Sequence, residues 1–393
     1  MRMRHTIAIV TPAFTPAEAF GGPVTAIANL AKLLCKQGYS VKVYTTNVLD
    51  PWRPNSNSRL PRVEDIGGVT VRRYRPLICI FGYWITPRLL KDLMTDQYDI
   101  INAQCARSFQ FDIAAFVAWI RNRKLIATPH GSLYSYGSVS GRVRRLLFAA
   151  HNAILKLDFK RASTILSTSS EEDSQFNRFH LDPRKIFQLP NFLDETQFEK
   201  LPPAGGFRSQ FGIGTHEKVI LFLGRLDRIK GLDLLLLAYS RIAKKMDGVW
   251  LVIIGPDAGY LETIRKLINL TDHSFRVVLA GPRYGSPKIQ ALVDSDFVVV
   301  PSYYESFGIT VLEAYLSRKP VVASRVGALL KLVIDKETGL LFGRGNVDEL
   351  AGLLEWALRN PRKLELMGDK GRALALSQYS ALAVREAVTS LYS

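Results

Sequence analysis

The sequence predicts an α/β protein of two doubly wound parallel sheets, and three observations carry that prediction. Short β-branched apolar runs alternate with helical patterns, which places parallel strands between layers of helices. The strand-and-helix plan restarts at KVILFLG, residues 218 to 224. A length of 393 residues exceeds one ordinary core and suits two domains of roughly 180 residues each.

The elements follow in order. HTIAIVTP opens as a strand, and after a loop holding Gly21 and Gly22 the stretch PVTAIANLAKLLCKQG sets apolar residues at helical spacing and stops at a glycine. SVKVYTT, GVTVRRY, YDIINA, KLIATPH, STILSTS and IFQLP read as further strands, with helical stretches such as SFQFDIAAFVAWI among them. From residue 218 the pattern runs KVILFLG, the helix GLDLLLLAYSRIAKK, then VWLVIIG, FRVVLAG, DFVVVP, PVVASRV and GLLF. The stretch LPNFLDETQFEKLPPAGGFRSQFG between them is rich in Pro, Gly and polar residues, so the domains are expected at 1–192 and 193–375. A helical ending over roughly 346 to 392 is expected to bring residues from about 376 to 393 back onto the first domain.

Composition narrows the class. Hydrophobic residues at 47% and charged residues at 22% indicate a packed globular chain and exclude a disordered one. A net charge of +17 suits phosphates, nucleic acid or an anionic membrane face without choosing among them. Cys35, Cys79 and Cys105 are odd in number and widely spaced, which suits a reducing compartment with no disulfide and no zinc. The start MRMRHTIAIVTP is basic, but its apolar part is short and strand-like. No stretch reaches the roughly 20 apolar residues of a spanning helix, so a cytoplasmic protein is expected.

The stretch ESFGITVLEAYLS follows the strand DFVVVP and reads as a helix beginning near Gly308. A helix start at the carboxyl end of a parallel strand offers free backbone N–H groups and a positive dipole end to an anion. Glu305 and Glu313, eight residues apart, would stand about 12 Å apart were both helical. With Glu305 in the loop, that figure is an upper guide. The pair looks less like an acid and base flanking one bond, about 5 to 9.5 Å apart in glycosidases, than like contacts to separate parts of one ligand, as in a sugar nucleotide. A solvated loop glutamate and a locally paired helix glutamate would explain the same spacing. In GRLDRIKG, Arg225 and Lys230 bracket the loop after another strand, as a fork and a point charge suited to a diphosphate. Taken alone, they read as surface charges. The absence of G-x-x-x-x-G-K-[ST] and G-x-G-x-x-G argues against a P-loop ATPase and the usual dinucleotide fold.

The series GGPVTAIANLAKLL, TPHGS, LPNFLD, GRLDRIKGLDLLLLA, VIIGP, ESFGITVLEA, KPVVASRVGALL and TGLLF resembles retaining glycosyltransferase family 4 over nearly the whole chain. The E-x7-E signature together with the G-R-x4-K-G loop is its most specific part. The resemblance implies the GT-B fold, two facing Rossmann-like domains with the reaction in their cleft, the nucleotide on the C-terminal domain and the acceptor on the N-terminal one. It implies that Arg225 and Lys230 bind the donor diphosphate and support the departing charge, with no metal and no cofactor required. It further implies that Glu313 holds the ribose hydroxyls and Glu305 reaches the donor sugar. Backbone amides around Phe307, Gly308 and Ile309 would face sugar or phosphate, and the base would lie beside Arg283 and Tyr284.

In the first domain, Gly21 and Gly22 match the glycine loop that approaches donor phosphate and acceptor, and His130 matches a histidine lining the sugar pocket. By themselves these residues read as a turn before a helix and a satisfied loop histidine. Asn191 and Asp194 stand where many relatives have N-G-V-D, but Phe192 and Leu193 depart from that pattern. In SSEEDS, Ser169 with Glu172 or Ser170 with Asp173 reads as a helix N-cap.

The implied activity is retaining transfer of a hexosyl group from a nucleotide-diphosphate-sugar to a saccharide or lipid-linked acceptor, in polysaccharide or glycolipid biosynthesis. The leaving phosphate would accept the acceptor's proton, so no protein base is nominated. The alternatives are a glycan phosphorylase or nucleotide-sugar epimerase on the same plan, and a basic nucleic-acid-binding protein. Against the last stands the lack of an RNA-binding aromatic signature or zinc-finger spacing, and no nucleic-acid partner is expected. Residues 141–162, GRVRRLLFAAHNAILKLDFKRA, combine basic and apolar side chains. They suit either a peripheral helix on the inner face of an anionic membrane or an ordinary amphipathic helix.

Overall fold

The computed structural model describes residues 5–52, 59–133, 142–270 and 276–393, without the side chains of 142–144 and 178. The basic start MRMR and the head of the predicted membrane helix, Gly141 with the side chains of Arg142 and Arg144, therefore lie outside the described residues. The chain forms two compact units, Met1–Asn191 with Val384–Ser393, and Phe192–Ala383.

The first unit carries β1 (Thr6–Val10), β2 (Ser40–Thr46), β3 (Val63–Ile66), β4 (Val69–Tyr74), β5 (Ile78–Ile80), β6 (Tyr83–Ile85), β7 (Ile100–Gln104), β8 (Lys124–Thr128), β9 (Thr164–Ser167) and β10 (Ile186–Gln188). Its main sheet runs β10-β9-β8-β7-β1-β2-β4-β3, with only the β3–β4 pair antiparallel among these neighbours. β7 is buried along its whole length, as expected of a central strand covered on both faces.

The second unit carries β11 (Lys218–Leu223), β12 (Val249–Ile254), β13 (Val277–Gly281), β14 (Phe297–Val300), β15 (Val321–Ser324) and β16 (Gly339–Phe342). They pair in parallel in the order β13-β12-β11-β14-β15-β16. Alternation puts Val298 and Val300 into the core on one face and Phe297 and Val299 into the core on the other. In each sheet the strand order reverses once, between β1 and β7 and between β11 and β14. A doubly wound sheet binds its ligands at the carboxyl ends of the strands beside that reversal.

The helical ending differs from the expectation. It breaks into Val347–Arg359, Pro361–Gln378 and Arg385–Tyr392, and Pro361 starts the second piece because a proline costs no hydrogen bond in a first turn. The return to the first unit begins at Val384 instead of near 376. Residues before it stay with the second unit, where the Ala381 amide donates to Glu195 Oε2 at 2.8 Å. Edge strand β3, the β5–β6 hairpin and the helix Pro87–Thr95 complete the first unit. Among the described residues no helix is long and apolar enough to cross a membrane.

Candidate functional site

In the second unit the loops after β11 and β14 converge. β11 runs into Gly224 and Arg225, then through the short helix Arg228–Lys230 to the helix Leu232–Ala243. Gly231 lies at φ +67°, and a Cβ there would stand 2.0 Å from the Pro301 carbonyl oxygen, so only glycine lets the two loops touch. The Tyr303 amide donates to the Ile229 carbonyl at 2.8 Å, and the Tyr303 hydroxyl donates to Asp233 Oδ2 at 3.1 Å. Thr310 Oγ1 adds a bond to the Leu223 carbonyl at 3.2 Å.

On this frame Lys230 Nζ donates to Glu305 Oε2 at 2.6 Å, and Ser302 Oγ reaches the same oxygen at 3.3 Å. Arg225 is half-buried, and its guanidinium makes no hydrogen bond or ion pair with another described residue. Glu305 lies in the loop, because the helix starts only at Ile309. Gly308 caps that helix at φ 103° and ψ 53° and, having no side chain, gives its first amides no cap bond. An added Cβ at Gly308 would press on Leu329 at 3.0 Å. Phe307 and Ile309 point into the core, so only their backbone is available to a ligand.

Glu313 sits within the helix Ile309–Leu316, almost fully buried. Its Oε1 accepts from Lys288 Nζ at 2.5 Å, with both side chains largely out of solvent. Each signature glutamate thus has its own lysine, and the two carboxylates are not a pair. Lys288 was not singled out from the sequence. Only folding brings the helix Ser286–Asp294 against the helix bearing Glu313. Arg283 stands apart from this polar cluster: its guanidinium lies over the rings of Phe207 and Phe211, at 5.4 and 5.3 Å. Tyr284 beside it is exposed. A cavity of about 360 Å³ opens at the opposite edge of this sheet, near Lys218, Phe297 and Pro320 where strands begin, and contains none of the predicted site residues.

In the first unit Gly21 caps the helix Gly22–Lys36 at φ 89° and ψ −150°, with Gly22 and Pro23 in its first turn. His130 follows β8, and Cys105 and Arg107 follow β7. All three adopt positive φ, 54°, 60° and 64°, a conformation that non-glycine residues hold only when their surroundings over-determine it. The surroundings here are explicit. The Cys105 amide donates to the Thr128 carbonyl at 2.9 Å, and Ser132 Oγ donates to the Ala106 carbonyl at 2.8 Å.

Glu172, fully buried, accepts from the amide and hydroxyl of Thr168, both at 2.7 Å, and from the Gly131 amide. Ser169 does cap its helix. These bonds send the Glu172 carboxylate sideways, to Thr168 and to the residue after His130, so it is more than the N-cap partner the sequence suggests. Its burial pushes its pKa above the usual carboxylate range. His130 Nε2 meets Gln104 Oε1 at 2.5 Å, and burial pushes the imidazole down to about 4, so the ring is neutral at pH 7. Asp194 bonds the hydroxyl of Thr196 at 2.7 Å and gives no side-chain cap to the short helix after it. Among the described residues no group of three His, Cys, Asp or Glu is placed to hold a metal.

Residues 20–197 match the model of Glycosyltransferase Family 4, and residues 206–374 match that of Glycosyl transferases group 1. An uncharacterized glycosyltransferase of Methanocaldococcus jannaschii is 27% identical over 374 residues, 90% of each chain. A D-inositol 3-phosphate glycosyltransferase of Segniliparus rotundus is 26% identical over 381 residues, covering 90% of this chain and 80% of its own. Among solved structures, sucrose-phosphate synthase from Thermosynechococcus elongatus superposes with a TM-score of 0.78 at 21% identity, over 99% of this chain and 98% of that one. Anabaena HepE in complex with UDP and glucose gives 0.78 at 18% identity over 99% of each. The two family matches and the strand orders agree, and the chain belongs to glycosyltransferase family 4, group 1, with the GT-B fold.

Proposed function

We propose that this glycosyltransferase moves a hexosyl group from a nucleotide-diphosphate-sugar to a saccharide or lipid-linked acceptor with retention and without a metal. The observation that carries this reading is the cation arrangement after β11. Arg225 is half-buried with no carboxylate partner among the described residues, while Lys230 is shared with Glu305. A guanidinium partly removed from water without a protein anion is well matched to a diphosphate, and it would stabilise the charge that grows on the leaving group. The first amides of the helix after Gly308 offer further donors to the same ligand. Glu313, steadied by Lys288, has a second oxygen to accept from ribose hydroxyls. The base is assigned to the neighbourhood of the β13 loop on resemblance, with Tyr284 better placed than Arg283, whose guanidinium is engaged by Phe207 and Phe211. HepE, with UDP and glucose bound, and sucrose-phosphate synthase share this fold, which supports a nucleotide-linked donor.

The test is thermal stability against UDP, GDP, ADP and their sugar conjugates, in the native chain and in Arg225→Ala, Lys230→Ala. Ligand at about 100 times its Kd adds about 2.7 kcal/mol. A shift with one nucleotide that vanishes in the variant is expected; equal shifts in both proteins would remove the diphosphate assignment.

Membrane association belongs to the same reading. On the helix Arg142–Arg161, Leu146, Leu147, Ile154 and Leu157 are exposed on one side and Arg145, Lys156 and Lys160 on the other. The hairpin beside it exposes Leu77, Ile78, Ile80 and Phe81, and its Tyr83 ring meets His151 of that helix at 5.4 Å. Apolar side chains flanked by cations suit an anionic bilayer interface. Binding to anionic vesicles that weakens with salt is expected, and equal recovery on neutral vesicles would count against it.

A further inference from the structure

A line of buried neutral side chains runs from the helix Arg385–Tyr392 to His130, all within the first unit. Tyr392 and Asn102 are 0% exposed and Gln104 1%. Asn102 Nδ2 donates to the Tyr392 hydroxyl oxygen. Asn102 Oδ1 accepts from Gln104 Nε2 at 2.8 Å and from Thr128 Oγ1 at 3.3 Å. Gln104 therefore turns its carbonyl oxygen to His130 Nε2, 2.5 Å away. A carbonyl only accepts, so Nε2 must carry the proton.

We propose that Tyr392, Asn102 and Gln104 are positioning residues that hold His130 as its Nε2–H tautomer, leaving Nδ1 as the acceptor for a ligand hydroxyl. The role of Nδ1 rests on the reading of His130 as part of a sugar site; the tautomer does not.

Three features make the line effective. Its members are buried, so water does not compete for their bonds and an unmade bond costs about 1 to 3 kcal/mol. Each amide has its donor and its acceptor committed to different neighbours, so neither can turn alone. The other tautomer requires Asn102 and Gln104 to reverse together and Tyr392 to become the donor. The ring's backbone is fixed independently, through Gly131 bonded to Glu172. Burial keeps the imidazole uncharged down to about pH 4, so the choice between its two nitrogens is the one setting left to control.

The experiment is nitrogen NMR of the full chain labelled at histidine, at pH 7, with the His130 signals identified by their loss in His130→Asn. The expected spectrum has a protonated Nε2 and an unprotonated Nδ1. In Tyr392→Phe, Asn102 loses its acceptor and the two nitrogen shifts move toward each other as both tautomers become populated. A protonated Nδ1 in the native chain would overturn the assignment, and a Tyr392→Phe spectrum identical to native would remove Tyr392 from the line. Should Tyr392→Phe fold poorly, Gln104→Glu asks the same question. A carboxylate against Nε2–H is expected to raise the His130 titration midpoint by at least about one pH unit, and an unmoved midpoint would show that Nε2 does not face residue 104. None of these readings needs a donor to bind, so failure of the nucleotide test and failure of this proposal are separable.

Discussion

Around the strand-order reversal of the second unit the polar groups are ions: Lys230 with Glu305, Lys288 with Glu313, and Arg225 with no charged partner among the described residues. Around the reversal of the first unit the line to His130 is neutral: His130 on Gln104, Gln104 on Asn102, Asn102 on Tyr392, while Glu172 holds the next residue by accepting from Thr168 and Gly131. Charged hydrogen bonds are roughly twice as strong as neutral ones and suit a polyanion. Neutral bonds are weaker, but a buried polar group left without a partner is costly, so a neutral network discriminates between arrangements of hydroxyl groups. On the proposed function, the ions of the second unit would supply strength and the neutral groups of the first unit selectivity.

The sharpest way to break that contrast is to remove the cations. Arg225→Ala with Lys230→Ala is expected to lower kcat/KM by about 10³-fold, a loss read at a temperature where the variant, weakened by a Glu305 left without Lys230, is still folded. A loss under tenfold would mean that the charge on the leaving group is borne elsewhere.

Next comes the pair that the second unit buries most deeply. Lys288→Met strands Glu313 without its partner and is expected to cost about 3 kcal/mol in denaturant unfolding, as buried pairs do when one member is removed. The double change Lys288→Met, Glu313→Gln should recover much of that loss. A full loss in both would point to packing, not charge. In the first unit Glu172→Gln turns one accepting oxygen into a donor opposite Thr168 or Gly131. The expected cost is about 1 to 3 kcal/mol, or about 2 to 4 °C per kcal/mol for a unit of this size. An unchanged melting temperature would mean that the loop carrying His130 is held without it.

The difference between the units also decided what was legible in the chain. The strands at both reversals are long apolar runs, and the E-x7-E and G-R-x4-K-G stretches are local, so β11, β14, Arg225, Lys230, Glu305 and Glu313 could be located by reading along the sequence. Lys288 could not, because its partner lies 25 residues away on another helix. Tyr392 was hidden inside an amphipathic ending, and its bond to Asn102 spans 290 residues. Glu172 has the spacing of a capping box, and nothing local distinguishes that from a carboxylate turned toward a neighbouring loop. The β5–β6 hairpin escaped because the apolar residues of β5 are exposed, so they follow no burial period. The helical ending read as one piece because apolar spacing continues across Asn360 and Pro361; Pro361 was the available signal for the break.

The smallest effect bears on how far the neutrality around His130 extends. Asp158 lies on the buried side of the helix Arg142–Arg161, and burial first, then the charge of Asp112, pushes its carboxyl up to about 8 against the pull of Arg161. Asp112 is itself occupied, accepting from Tyr83 at 2.5 Å and from His151 at 2.9 Å. Asp158 therefore keeps its proton in the folded chain over a range, from about pH 4 to about pH 8, in which the unfolded chain has lost it. Stability from this group is present at low pH and drains away as pH rises through that window. His130 works in the opposite sense, since the unfolded ring binds a proton below about pH 6.5 that the folded ring refuses down to about pH 4. Measuring from pH 6.5 to 8 sets His130 aside, and comparing Asp158→Asn with the native chain cancels the like-signed contribution of Glu172. The native melting temperature is expected to fall across that interval more steeply than that of Asp158→Asn. Parallel curves would mean that Asp158 is already ionised in the folded protein, and that the buried side of this helix carries a charge.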